Sequence, residues 1–224
     1  MIKIWKYESD YFKCIQSFCC HSEPVYDILM NNNNQIVTCS KDQSIQTSDI
    51  ETCETINSFA STQQIWCMAW WKQAQCLLEA GCDLSSSSVS IIIRKWNQND
   101  YTHVDHGKII KTLAGHKDDI RTLLVDESKD ELLSCSDDST IILWNLNTGQ
   151  IIRQFKCDDL VLAICKIYKM VFVGASEQNL TFWNIETGQC KTSTVHTDWI
   201  WSLCYSARNH VPGLPGSYDS AAIK

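Results

Sequence analysis

An all-β array of small four-stranded sheets is the fold class this sequence predicts, and three observations predict it. A phrase recurs: Trp144-Asn145-Leu146-Asn147-Thr148-Gly149-Gln150 returns as Trp183-Asn184-Ile185-Glu186-Thr187-Gly188-Gln189, and a worn copy stands earlier as Ser48-Asp49-Ile50-Glu51-Thr52-Cys53-Glu54. A spacing of about 40 residues marks an array of like units rather than one large core. Apolar residues also fall four and seven places after a landmark: Val25 and Ile28 after His21, Ile65 and Met68 after Ser61, Ile120 and Leu123 after His116. Val161 and Ile164 follow Cys157, and Ile200 and Leu203 follow His196, at the same offsets. Lastly, the apolar runs are short, rich in Ile, Val, Leu and Trp, and closed by Asp, Ser, Asn and Gly, which is the chemistry of strands and turns.

In chain order, residues 2–5 and 11–18 read as a third and a fourth strand with no first or second strand ahead of them. Each later unit opens with a first strand after its landmark. Second strands are expected at 35–40, 76–80, 131–136 and 170–175, with a weaker one before Asp219. Third strands are expected at 44–48, 91–96, 140–144 and 180–183, and a fourth, such as 151–155, follows the Thr-Gly turn. The serine run 85–88 reads as a hairpin loop and the asparagine run 31–34 as a turn. The units are 1–20 (the two spare strands), 21–57, 58–112, 113–156, 157–192 and the partial 193–224.

Bulk properties narrow the function. The chain has 224 residues, 44% hydrophobic and 20% charged, with a formal net charge of −7. No Lys/Arg cluster supplies the basic stripe of a nucleic-acid binder, so none is expected as a partner. No apolar run approaches the ~18 residues of a membrane span, so membrane insertion is not expected. The N-terminus lacks the features of a signal peptide. A cytoplasmic location is expected, with the nucleus also open. The 13 cysteines are scattered and form no Cys-x-x-Cys pair. They read as reduced, buried hydrophobes rather than disulfides or metal ligands. His103 and His106 in a loop are too weak a pattern for metal. No cofactor is expected.

Gly115-His116, Ser134, Asp138 and Trp144 match, in position and order, the structural tetrad of WD-repeat β-propellers. The chain resembles that family over nearly its whole length. The resemblance implies four complete blades and a split or partial terminal blade. Two arrangements of the ends fit. The spare strands complete a five-bladed ring, or the chain is an arc of a longer ring, commonly seven-bladed. Five blades are unusual in the family, which favours the arc. The resemblance also implies that His, Ser or Thr, Asp and Trp form a hydrogen-bonded chain within a blade. The first full unit keeps His21, Thr38 and Asp42, with Ser48 in place of Trp. The second has Ser61 in place of His, keeps Trp96 and aligns no Asp. The fourth has Cys157, Val173 and Glu177 but keeps Trp183; the fifth keeps His196 and Asp219, with Pro215 in place of Ser. A Ser-His-Asp trio repeated along a chain is not a catalytic constellation, which occurs once, in a cleft. No enzyme is expected.

The resemblance implies a protein-interaction scaffold. Family members commonly bind partners around the channel mouth, at positions three and five after the His and just before the Asp. Those positions include Tyr26, Trp66, Arg121, Trp199, Trp201 and Tyr218, a set rich in the residue types that dominate interface energetics. The expected partner is a protein domain or peptide. Two other readings are an enzyme using a central-channel pocket and a substrate-receptor subunit of a larger complex such as a ubiquitin ligase.

Overall fold

The computed structural model describes residues 1–8, 11–31, 34–82, 89–96, 105–168, 171–176, 178–203 and 216–217. Its regular structure there is all β. A hairpin of β1 (Ile2–Glu8) and β2 (Tyr11–Phe18) comes first. Four antiparallel sheets of four strands follow. The first blade is β3 (Val25–Met30), β4 (Gln35–Ser40), β5 (Ser44–Asp49) and β6 (Thr55–Ala60). The second is β7 (Gln64–Trp71), β8 (Cys76–Cys82), β9 (Ser90–Lys95) and β10 (Ile109–Ala114). The third is β11 (Ile120–Asp126), β12 (Glu131–Ser136), β13 (Thr140–Asn145) and β14 (Ile151–Lys156). The fourth is β15 (Ala163–Tyr168), β16 (Val171–Ala175), β17 (Asn179–Asn184) and β18 (Cys190–Thr194). A short pair, β19 (Ile200–Ser202) and β20 (Gly216–Ser217), comes last. Strands pair in chain order within every blade, as a meander does.

The blades stand side by side through their first strands: β7 touches β3 and β11, β11 touches β15, and β15 touches β19. The core is therefore a series of layers between blades. Successive residues of a strand face opposite ways, so one strand feeds two layers. In the third blade Leu132, Ile142 and Trp144 pack toward the second blade. Their neighbours Leu133, Ile141 and Leu143 pack toward the fourth. Both faces of these inner strands are covered, which is why they read as unbroken apolar runs rather than alternating ones. The fourth strands form the outer edge, and β18 is exposed along its whole length.

The recurrent phrase is a turn with a mechanism. Asn145 Oδ1 accepts the Thr148 amide at 2.8 Å, and Asn184 Oδ1 accepts that of Thr187 at 2.8 Å. Asp49 does the same for Thr52 at 2.9 Å. The closing residue takes positive φ: 77° at Gly149, 74° at Gly188 and 59° at Cys53. The worn copy thus keeps the turn but holds a side chain in a glycine conformation.

Three details of the structure bear on the unit pattern. Ile28 is 46% exposed, because no sheet covers that face of the first blade among the described residues. The limits expected after residues 57, 112 and 192 fall inside β6, β10 and β18, since the fourth strand runs on past the last apolar landmark. The β1–β2 hairpin and the β19–β20 pair are separate sheets, with no ladder joining them among the described residues.

Candidate functional site

The tetrad is complete in the third blade. His116 Nδ1 lies 2.9 Å from Asp138 Oδ2, and its Nε2 lies 2.7 Å from Ser134 Oγ. Trp144 Nε1 donates to the same Ser134 Oγ at 2.8 Å. One tautomer satisfies the whole chain: Nδ1–H donates to Asp138, and Ser134 donates to Nε2. Gly115 makes room, for a Cβ there would stand 2.7 Å from the Trp144 ring. Burial by itself would push the Asp138 carboxyl up. Hydrogen bonds from His116, Thr140 and the Lys117 amide outweigh it and bring the pKa down to about 2. The first blade repeats the geometry without the indole: His21 meets Thr38 Oγ1 at 2.8 Å and Asp42 Oδ2 at 3.0 Å. Ser48, opposite Ile36 where Trp144 is opposite Leu132, is buried with its hydroxyl unpartnered among the described residues.

The second blade replaces the tetrad with a different polar cluster, which the sequence reading missed. Leu77 pairs with Arg94 in the register where Leu132 pairs with Trp144. Arg94, not Trp96, therefore stands in the tryptophan place, and Glu79 stands where the third blade has Ser134. Arg94 Nε and a terminal nitrogen each donate to Glu79 at 3.0 Å, and Ser61 Oγ donates to Glu79 at 2.9 Å. Arg94 also donates to the carbonyls of Gly107 and Ala60 at 2.9 and 3.1 Å. Trp96 instead packs edge-on against Phe59 and Trp70. Register likewise puts Gly174, not Val173, in the serine place of the fourth blade, with Trp183 opposite Phe172. His196 is buried. Tyr218, Asp219, Glu177, Pro215, His103 and the serine run lie outside the described residues.

Four of the six expected partner-binding residues share a backbone feature. Register skips one residue between Val25 and Asp27, Ile65 and Cys67, Ile120 and Thr122, and Ile200 and Ser202. The bulged residues are Tyr26, Trp66, Arg121 and Trp201. A bulge re-aims its side chain out of the ladder, and here the aim is toward the end of the blades where the His-bearing loops and the second-to-third-strand turns meet. Those segments are tied together: the Lys41 amide donates to Pro24 and the Asp137 amide to Asp119, both at 3.0 Å. Across three blades the re-aimed groups form one stack. The Tyr26 and Trp66 rings lie 4.2 Å apart, and the Arg121 guanidinium sits 4.6 Å from the Trp66 centroid. Asp137 holds Arg121 bidentately and Asp119 lies 3.5 Å away. Hydrogen bonding to Asp137 raises the Arg121 pKa. Gly81 opposes the Trp66 bulge, where a Cβ would stand 1.9 Å from the Gln64 carbonyl and 2.7 Å from the indole. Trp199 and Trp201 stack on each other at 5.5 Å.

Two segments, 12–46 and 107–145, match the family model "WD domain, G-beta repeat". The chain carries WD repeats in these two segments. The second segment covers the fourth strand of the second blade and the first three of the third, and the first segment runs from β2 into β5. Mouse WD repeat-containing protein 3 is 31% identical over 100 residues, 42% of this chain and 10% of that protein. WD repeat-containing protein AAC3 of Dictyostelium discoideum is 26% identical over 157 residues, 69% of this chain and 30% of that protein. The chain thus spans under a third of these two relatives. Among solved structures, the designed protein Ika8 superposes with TM-score 0.70 at 17% identity, over 90% of this chain and 58% of that one. U3-55K superposes with TM-score 0.67 at 18% identity, over 80% of this chain and 54% of that one. These likenesses show the fold.

Within this WD-repeat fold the tetrads have no room for substrate: His21 and His116 side chains are fully buried between their partners. Burial, then Asp158, pushes the Cys157 thiol up to about 12, so its sulfur is neutral at physiological pH. Among the described residues no group of three His, Cys, Asp or Glu side chains is placed to hold a metal. Trp70 and Trp71 serve packing between blades: their indoles donate to the Met30 carbonyl at 3.1 Å and to Asp130 at 2.8 Å.

Proposed function

We propose that this WD-repeat chain is a non-catalytic scaffold that binds a peptide or protein domain across the ends of the blades that carry the His loops. One observation carries the reading. Tyr26, Trp66 and Arg121, each bulged from its own blade, form a continuous ring–ring–guanidinium stack at that end. The two rings supply large contact area with few rotamers to freeze, and Asp137 already holds Arg121 in place. The stack is open to solvent at Tyr26, which is 38% exposed, and Trp201 is 46% exposed. Likeness to a family whose propellers commonly bind partners at this end supports the same reading. No observation of its own favours a channel enzyme or a ligase receptor subunit.

Affinity capture with the wild-type chain, Trp66→Ala and Trp201→Ala, each checked by circular dichroism, tests the proposal. The variants are expected to lose a captured protein while keeping the β spectrum. Retention of every captured protein by both folded variants would overturn it.

A further inference from the structure

The residue after each bulge reaches across the seam to the next blade. In the first seam Asp27 Oδ2 accepts the Met68 amide at 2.8 Å. In the second the Cys67 thiol points at the Ile120 carbonyl, 3.7 Å away, and in the third Thr122 Oγ1 donates to the Leu162 carbonyl at 3.0 Å. The first seam thus uses a carboxylate where the other two use a thiol and a hydroxyl, and a charged acceptor makes the stronger bond. β3 and β7 belong to different sheets, so their relation rests on packing and side-chain bonds. The Cys39 thiol lies 3.6 Å from the Ile65 carbonyl, and the Trp70 indole ties Met30 at the far end of the same seam. Little slack separates the Asp27 bond from the aromatic stack. Asp27 adjoins Tyr26, and Met68 stands two residues beyond Trp66, whose ring lies 4.2 Å from that of Tyr26. The other end of the stack is fixed separately, by Asp137 on Arg121.

We infer that Asp27 is a positioning residue of the binding surface: through the Met68 amide it sets the first blade against the second, and so the Tyr26 ring against the Trp66 indole. The inference rests on the scaffold reading and names what governs the geometry of that surface. Contact groups are precise when the residues beneath them are locked by hydrogen bonds of their own. Asp27 meets this condition, because its Oδ1 also accepts the Ile28 amide at 2.8 Å. The carboxyl is half-buried, and burial raises its pKa. On β4 and β7, the strands packed against β3, the titratable neighbours are the Cys39 and Cys67 thiols, which burial pushes up and keeps neutral at physiological pH. Glu79, opposite Met68 on β8, is held by Arg94.

Fluorine NMR of the chain labelled with 5-fluorotryptophan reads the stack, with the Trp66 signal assigned from Trp66→Phe. Tyr26→Ala supplies the shift of an unstacked Trp66. Asp27→Leu keeps an apolar filling of the seam and removes the acceptor, whereas Asp27→Asn keeps an acceptor oxygen. The leucine variant is expected to move the Trp66 signal most of the way to the unstacked value, with the thermal midpoint kept. The asparagine variant is expected to leave it in place. In the wild type the Met68 amide proton and the Trp66 fluorine are expected to titrate together, at a midpoint above 3.8, and Asp27→Asn to lose that shared titration. A Trp66 signal unmoved in the folded leucine variant overturns the inference, as does an equal displacement in Asp27→Asn. If the leucine variant fails to fold, the wild-type titration decides, and the absence of a shared midpoint overturns the inference. In affinity capture Asp27→Leu is expected to lose the proteins that Trp66→Ala loses. Should Trp66→Ala lose a captured protein that Asp27→Leu keeps, the inference fails and the scaffold reading stands. Should Trp66→Ala and Trp201→Ala keep every captured protein, the scaffold reading fails, and the fluorine shift still decides whether Asp27 sets the stack.

Discussion

The third and fourth blades share the register of their inner ladder and differ in what ties their ends together. Leu132 faces Trp144 as Phe172 faces Trp183, so the ladders between the second and third strands match residue for residue. Above that level the third blade has a closed chain of hydrogen bonds, and the fourth has Cys157 and Gly174. The backbone ladder and two-sided apolar packing are thus enough to shape a blade, and the tetrad is a local latch. The second blade shows a further solution, with a buried Arg94–Glu79 pair in the latch position.

The largest effect should come from breaking that pair. Arg94→Met leaves Glu79, whose side chain is fully buried, without its counter-charge. A loss of about 3–5 kcal/mol is expected, measured by urea unfolding. Arg94→Met/Glu79→Leu should recover much of it, because no charge is then stranded. His116→Ala should cost the third blade about 2 kcal/mol, since Ser134 and Asp138 each lose a partner. Cys157→Ala at the matching place should cost under about 1 kcal/mol. Equal costs at the two positions would undo the contrast between latched and unlatched blades.

Acid sharpens the same comparison. The Asp138 pKa lies at about 2, below its ordinary 3.8. Its stabilising contribution is therefore present in full above about pH 4 and is lost as pH falls through about 2. Wild-type stability should drop over that window, and Asp138→Asn should flatten the drop. Asp27 has the opposite sign: burial raises its pKa despite bonds from the Met68 and Ile28 amides. Its contribution favours folding at low pH and fades as pH rises through the raised value. The smallest effect concerns the turns. Cys53→Gly gives the first blade the residue its positive φ requires, for a gain of about 0.5–1 kcal/mol in urea midpoint analysis.

Much of this was legible in the residues. The strands of the third blade follow from its landmarks because Gly115-His116, Asp138 and the Thr-Gly turn pin both ends of every hairpin. The bulged positions were found by counting from the His, although nothing in the residues announces a bulge. Register was lost where landmarks fail. In the second blade no Asp follows the second strand, so the eye takes Trp96 for the latch tryptophan, two places beyond Arg94. In the fourth, Gly174 has no side chain to match to a serine, and Val173 takes its place in the count. The exposure of Ile28 depends on what covers a sheet, which a unit's own pattern does not contain.

The central claim is that partners meet the end of the blades bearing the bulged residues, and site-specific photo-cross-linking tests it most directly. A benzophenone amino acid at position 201 should form adducts with the captured protein, and one at position 152, on the outer strand β14, should form none. Adducts from position 152 with none from position 201 would contradict the account.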